Sequence, residues 1–267
     1  MMLTRKVNNR IGRAMHAYGM LEDGDRVIIA VSGGVDSLVL TAILNYWLKK
    51  APISYKLLGI HIDIDHEDGQ PGTAAAEVAE RLAAMEVEAE IVPANWRPPK
   101  DISPDSPEIK DICFTCARNR RSQIFELARQ KGFNKVALGH HRDDLLETFF
   151  LNIFYAGNIS TMMPRQDLFE GRLKLIRPLA FLEKDEIIAT AKKLHIQPVR
   201  TPCPASGQTK RTDVRDFLEE VYERFPGSKS NVFAALSNVR QDYLLKPGAD
   251  ASVRRKKRSS SKGGDDE

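Results

Sequence analysis

The chain has 267 residues, 42% of them hydrophobic and 28% charged, enough for one large packed domain with an extension and too apolar for a largely disordered chain. The net charge of +4 is mostly local, because from Lys246 onward seven Lys/Arg face four Asp/Glu; binding of a polyanion must therefore rest on patches and not on the overall field. No apolar run reaches membrane-spanning length, and the N-terminal MMLTRKVNNRIGRAMHAYGML lacks a signal-peptide core, so a cytoplasmic location is expected.

Leu3 to Leu21 alternates basic and apolar residues at helical spacing, with Arg5, Arg10 and Arg13 outside and Ile11, Met15 and Tyr18 inside. Val27 to Val31 is a β-branched run of the kind buried in a parallel sheet. Ser32-Gly33-Gly34 follows, and Asp36-Ser37 opens an apolar helix that continues through Leu38 to Lys50. Strand, glycine turn and helix start make an anion site, because backbone N–H groups converge there and the helix dipole favours negative charge. The hydroxyls of Ser32 and Ser37 can donate to phosphate oxygens. Asp36 only accepts, so it fits a Mg²⁺ ion or a local anchor of the turn better than phosphate itself. GxxxxGK[ST] and GxGxxG are both absent.

Lys56–Asp63 reads as a second strand with His61 and Asp63 at its ligand-side end. Thr73 is placed to cap an alanine-rich helix ending near Met85, and Glu88–Pro93 reads as a third strand. Asn95–Ile112 reads as a proline-rich loop, Cys113-Phe-Thr-Cys116 leads into a helix over Ala117–Lys131, and Lys135–Gly139 is a fourth strand. That strand runs into His140-His141-Arg142-Asp143-Asp144 and an apolar helix, Leu145–Tyr155. Asp143 and Asp144 suit a metal ion beside a triphosphate or the cap of this helix, and His140 or His141 suits phosphate binding or proton transfer. Ala156–Gln166 reads as irregular, Lys174–Pro178 as a fifth strand, Glu183–Leu194 as a helix and Pro198–Gln208 as a loop holding Cys203. Helices over Arg211–Phe225 and Val232–Leu244 precede a low-complexity tail. The alternation predicts an α/β fold with a doubly wound, parallel, five-stranded sheet.

Cys113, Cys116 and Cys203 admit three readings by spacing alone: an iron–sulfur cluster with one open iron, a zinc site needing a fourth ligand such as His195, or a dithiol to which Cys203 is incidental. Arg118, Arg120, Arg121, Lys210, Arg211 and Arg215 lie beside the cysteines in sequence. They read either as a phosphate-contacting rim or as ordinary solvated helix faces.

SGGVDS, CFTCARNRRSQIFELA, ALGHHRDDLLETFFLNIFYAG, LIRPLAFLEKDEI and the TPCP loop together resemble the TtcA family, the tRNA 2-thiocytidine synthetases among the PP-loop ATP pyrophosphatases. The resemblance runs from about Val27 to Leu244. It implies a [4Fe-4S] cluster on Cys113, Cys116 and Cys203, ATP with Mg²⁺ near Asp36 and Asp143, and tRNA as substrate. It implies ATP contacts at Val31, Ser32, Gly33, Gly34, Ser37, Gly139 and Asp144, with Ile60 and His61 facing adenine and Arg120 between cluster and nucleotide. The chain as a whole reads as an N-terminal helix over 1–22, an ATP-binding domain over 23–180, an extension over 181–245 carrying the third cysteine, and a charged tail over 246–267 whose low complexity predicts disorder. The implied sulfur donor is a cysteine desulfurase or inorganic sulfide, with no membrane involved and a homodimer left open. Two departures stand out: Val35 replaces the lysine of the family's SGGKDS, and Ala205-Ser206 stands where a further cysteine is usual. A PP-loop enzyme for a small molecule and a zinc-stabilised nucleotide-binding module are the competing readings.

Overall fold

Helix α1 (Arg5–Ala17) is followed by β1 (Arg26–Ala30), α2 (Val35–Leu48), β2 (Lys56–Asp63), α3 (Thr73–Ala84), β3 (Ala89–Pro93) and α4 (Ile109–Gln130). Then come β4 (Lys135–Ala137), α5 (Arg142–Leu151), β5 (Arg165–Leu168), β6 (Leu173–Ile176), α6 (Lys184–Lys193), α7 (Lys210–Arg224) and α8 (Ser228–Ala235). This computed structural model describes residues 3–99, 109–199 and 209–245. The chain divides into two compact units, Met1–Arg224, which holds the sheet, and Phe225–Glu267, which holds α8 and a 3-10 turn at Gln241–Tyr243.

The sheet has six strands in the order β3-β2-β1-β4-β6-β5. All pairs are parallel except β5 with β6, so the five-stranded expectation gains an antiparallel edge strand. The extra strand, Arg-Gln-Asp-Leu, has no apolar alternation to announce it. A tight turn forms it, in which Phe169, Glu170 and Gly171 all take positive φ. Alternation along β1 sends Val27 and Ile29 to a core shared with α1, α2, α3 and α6, and Ile28 to a second core shared with α4.

Other boundaries differ from the sequence reading, α5 among them, which runs Arg142–Leu151 and not Leu145–Tyr155. Helix α4 begins at Ile109, so both cysteines of the CxxC lie inside it; Ile109, Ile112, Cys113 and Cys116 recur at helical spacing after the last proline of the loop. Gly72, not Thr73, caps α3, and Thr73 is its first residue. The helix expected over Val232–Leu244 is α8, ending at Ala235, where the Ser237 hydroxyl donates to the Ala234 carbonyl at 3.1 Å.

A polar knot fixes the register of β4 on β1. Lys135, fully buried, places its ammonium 2.5 Å from Asp25, without the alignment of a hydrogen bond. Asp25 also accepts the Glu22 N–H (2.6 Å) and the Asn134 amide (2.8 Å), and Asn134 accepts the Arg26 N–H (2.8 Å). Removing the carboxylate leaves a buried ammonium unpaired. Asp25→Ala is therefore expected to lower the unfolding free energy by roughly 3–5 kcal/mol, measured by urea titration.

Candidate active site

The strand order reverses between β1 and β4, and a crevice opens at their C-terminal ends, where α/β sheets bind ligands. A cleft of about 340 Å³ lies there. Its floor comes from the end of β1 (Val31, Ser32), the end of β2 (Ile60, His61) and the end of β4 (Gly139, His140); Asp36, Ser37 and Asp144 close one side and α4 the other.

The turn after β1 is held in shape before any ligand arrives. Gly33 takes φ +85°, and a Cβ there would come within 2.9 Å of Val78. The Ser37 hydroxyl donates to the Gly34 carbonyl (2.9 Å) and accepts the Ser32 N–H (3.2 Å), while Ser32 Oγ accepts the Gly34 N–H (3.3 Å). Both serines thus brace the loop and also line the cleft. Val35 packs against the core, and the cation beside this loop comes from elsewhere: Lys184, the first residue of α6, sets its ammonium 2.7 and 2.8 Å from the two oxygens of Asp36.

The two carboxylates after β4 have separate tasks. Asp144 accepts the His141 N–H (2.9 Å), capping α5, and its other oxygen meets Arg211 at 3.2 Å. Asp143 accepts the backbone N–H of Lys184 (2.9 Å) at the start of α6. Arg211 and Arg215 of α7 converge on buried Glu147 of α5, at 3.2 and 2.7 Å. The His141 ring lies 3.4 Å from Asp143 and 3.3 Å from Asp144.

Both cleft histidines are held neutral. Burial lowers the His61 pKa, and its Nδ1–H donates to the Val31 carbonyl (2.8 Å), leaving Nε2 as an acceptor. Burial also lowers His140, to about 4, with nearby Arg177, Arg211 and Arg121 acting in the same sense and Asp144 opposing. Arg177 Nε donates to His140 Nδ1 (3.3 Å), so the neutral ring carries its proton on Nε2. Arg177, itself lowered to about 10 by burial, also donates to the Met163 carbonyl.

Along α4 the cleft is lined by Ala117, Arg120, Arg121, Ile124 and Phe125. Helical spacing extends that stripe one turn back to Cys113 and Cys116, both half-buried. The pair lies one turn apart on one face, which fits two ligands to a single metal centre. Cys203 lies outside the described residues. Among the described residues no group of three or more His, Cys, Asp or Glu is arranged to hold a metal ion. His195, the fourth ligand considered for zinc, lies after the end of α6 beside Lys193 and Asn45. Arg118 is exposed on α4, and Lys210 stands over the Tyr155 ring, 4.5 Å from its centre.

A family model described as a PP-loop domain matches residues 3–221. The tRNA-cytidine(32) 2-sulfurtransferase of Cupriavidus necator is 35% identical over 245 residues, covering 91% of this chain and 76% of that protein. The protein of the same name from Geobacter metallireducens is 35% identical over 247 residues, covering 90% and 92%. The chain belongs to this PP-loop family. Among solved structures, the U34-tRNA thiolase NcsA from Methanococcus maripaludis, with its [4Fe-4S] cluster, aligns over 91% of this chain and 81% of its own with a TM-score of 0.68. At 20% identity that likeness shows a shared fold.

Sequence reasoning did not single out Lys184, Arg177 or Glu147, although two of them lie in the LIRPLAFLEKDEI stretch. Their partners Asp36, His140 and Arg215 are 148, 37 and 68 residues away, so no local spacing reveals them.

Two measurements test this geometry. A Cβ on Gly139 would lie 3.0 Å from the backbone of both Asp36 and Ser37, so Gly139→Ala is expected to cost about 1–3 kcal/mol of stability in chemical denaturation by pushing the loop off β4. The unfolded chain protonates His140 near its ordinary value of 6.5, whereas the folded protein waits until about 4. Stability is therefore lost as pH falls through that window, and is fully present above it. His140→Gln should flatten the dependence of unfolding free energy on pH between about 4 and 6.5.

Proposed function

We propose that this chain is an ATP-dependent tRNA sulfurtransferase that replaces O2 of a cytidine in the anticodon loop by sulfur. The observation that carries this reading is the single cleft, in which the phosphate loop after β1, the His140–Asp144 strand end and the stripe of α4 leading to Cys113 and Cys116 face one another. The phosphate loop is braced further by Val199, whose N–H donates to the Gly33 carbonyl at 2.9 Å. The names of the relatives at 35% identity supply the substrate class.

In this reading Ser32, Gly33, Gly34 and Ser37 receive the phosphates of ATP on backbone N–H and hydroxyl groups, while Val31, whose N–H is given to the Ile60 carbonyl, lines the cleft beside the nucleotide. Ile60 offers adenine an apolar wall, and His61 Nε2 offers its amino group an acceptor. Gly139 lets the loop approach β4. Mg²⁺ would be held through Asp36, displacing the Lys184 ammonium, with Asp143 as a further carboxylate. The cytosine O2 attacks the α-phosphorus, the bond to the bridging oxygen of the β-phosphate breaks, and pyrophosphate leaves. Arg120 and Arg121, which line the cleft, would meet the charge that builds on these oxygens, and the His140 Nε2–H, oriented by Arg177, would be a fixed donor beside them. A sulfide equivalent then attacks C2 and AMP departs with the former base oxygen. A [4Fe-4S] cluster on Cys113, Cys116 and Cys203 would supply the iron that carries such a sulfur, replenished by inorganic sulfide, or by a cysteine desulfurase together with a thiol reductant that brings its persulfide sulfur to the sulfide level. Only an unpaired loop base can be splayed into such a cleft.

Two readouts test the proposal. Protein purified without oxygen should be brown with about four irons per chain, and Cys203→Ala should lose them while keeping its circular dichroism. Nucleoside analysis of tRNA from cells with the gene deleted should lack one thiolated cytidine, restored by the wild-type gene and not by Cys203→Ala. Stoichiometric zinc in place of iron, or ATP turnover indifferent to tRNA, overturns the reading.

A further inference from the structure

Helix α5 does not end cleanly. It passes into a π-helical turn, Asn152–Ala156, capped by Gly157 at φ +61°. Such wide turns shift the helical phase and recur at functional sites. Here the shift leaves two adjacent rings in solvent, Phe154 at 49% and Tyr155 at 52% exposure. Phe217 of α7, 45% exposed, meets the Phe154 ring edge-on, with centroids 5.6 Å apart at 76°. Scattered exposed rings are ordinary, whereas a contiguous set marks a contact surface.

The chemistry around the rings indicates the partner. Lys210 stands over Tyr155 at 4.5 Å, while Arg211 and Arg215, with side chains 38% and 50% exposed, border the same patch from α7. Flat π surfaces edged by cations match bases edged by phosphates, the pattern of single-strand binding. The patch is also continuous with the cleft, because Arg211 grips Asp144, which lines it.

We propose that Phe154, Tyr155 and Phe217, with Lys210, form a stacking platform for the unpaired bases of an RNA loop, holding the nucleotides that flank the one drawn into the cleft. This rests on the tRNA reading above and adds to it the surface that recognises the loop as single-stranded.

The test uses the full chain and two fluorescent RNAs, a stem with an unpaired seven-nucleotide loop and the same stem closed as a blunt duplex, in anisotropy titrations over a range of salt. Wild type should prefer the looped RNA. Phe154→Ala and Tyr155→Ala should each weaken loop binding by about tenfold, within the range for one base–aromatic stack, with the salt slope unchanged. Tyr155→Phe should restore it. Lys210→Ala should instead lower the salt slope by about 0.7. Nucleotide binding and circular dichroism confirm that each variant is folded. Loop binding by the alanine variants equal to wild type overturns the platform and leaves the tRNA reading standing. Failure of wild type to bind either RNA sinks both. Conversion of a dimer to a monomer by Tyr155→Ala, seen in sedimentation, reassigns the patch to self-association.

Discussion

One close approach governs the cleft: the backbone at Asp36 and Ser37 lies against Gly139 with room for a hydrogen and nothing more. That contact joins the first turn of α2 to the end of β4, two elements paired through β1 but far apart in sequence. Because β1 and β4 are neighbours at the point where strand order reverses, the helix that follows each begins on the same rim. The phosphate loop, the His140–His141 turn and the Asp143–Asp144 pair are brought together by this topology and held apart from collapse by it.

The electrostatics of the rim follow from how its charges are tethered. The start of α6 serves as a clasp, with the Lys184 side chain on Asp36 and its backbone N–H on Asp143. Asp144 and Glu147 fasten α5 to α7 through Arg211 and Arg215. His61 and His140 stay neutral because burial opposes their charging, so each presents one defined donor or acceptor to the cleft. Carboxylates already committed to helix caps and arginines cannot swing freely, which favours a site pre-shaped for its ligand.

The fold was largely readable because its central strands are continuous β-branched runs and its loop glycines stand at fixed offsets. Val27–Val31 before Ser32-Gly33-Gly34 is enough to place β1, the turn and α2. What escaped the sequence lacked such local marks. Strand β5 is polar and exists because a positive-φ turn folds Arg165–Leu168 back on β6. The start of α4 was hidden by the prolines before it. Phe154 and Tyr155 fell inside the apolar helix expected over Leu145–Tyr155, because a 3.6-residue period cannot anticipate a π turn. The replacement of a loop lysine by Val35 looked like a loss, yet the cation arrives from α6, by a route that only tertiary structure reveals.

The two borders of the sheet carry a consequence of their own. On one side β5 shows Arg165, Gln166 and Asp167, with Arg165 bound to Asp167 at 3.1 Å and to the Gly19 carbonyl at 3.0 Å. On the other, β3 is short and ends in Pro93, which has no N–H to offer, and its Glu90 is tied to Lys131. Neither margin is an inviting template for a foreign strand. A protein that must keep a long apolar sheet from seeding amyloid-like ribbons has here dulled both ends of it, and docking with other macromolecules is left to its helical faces.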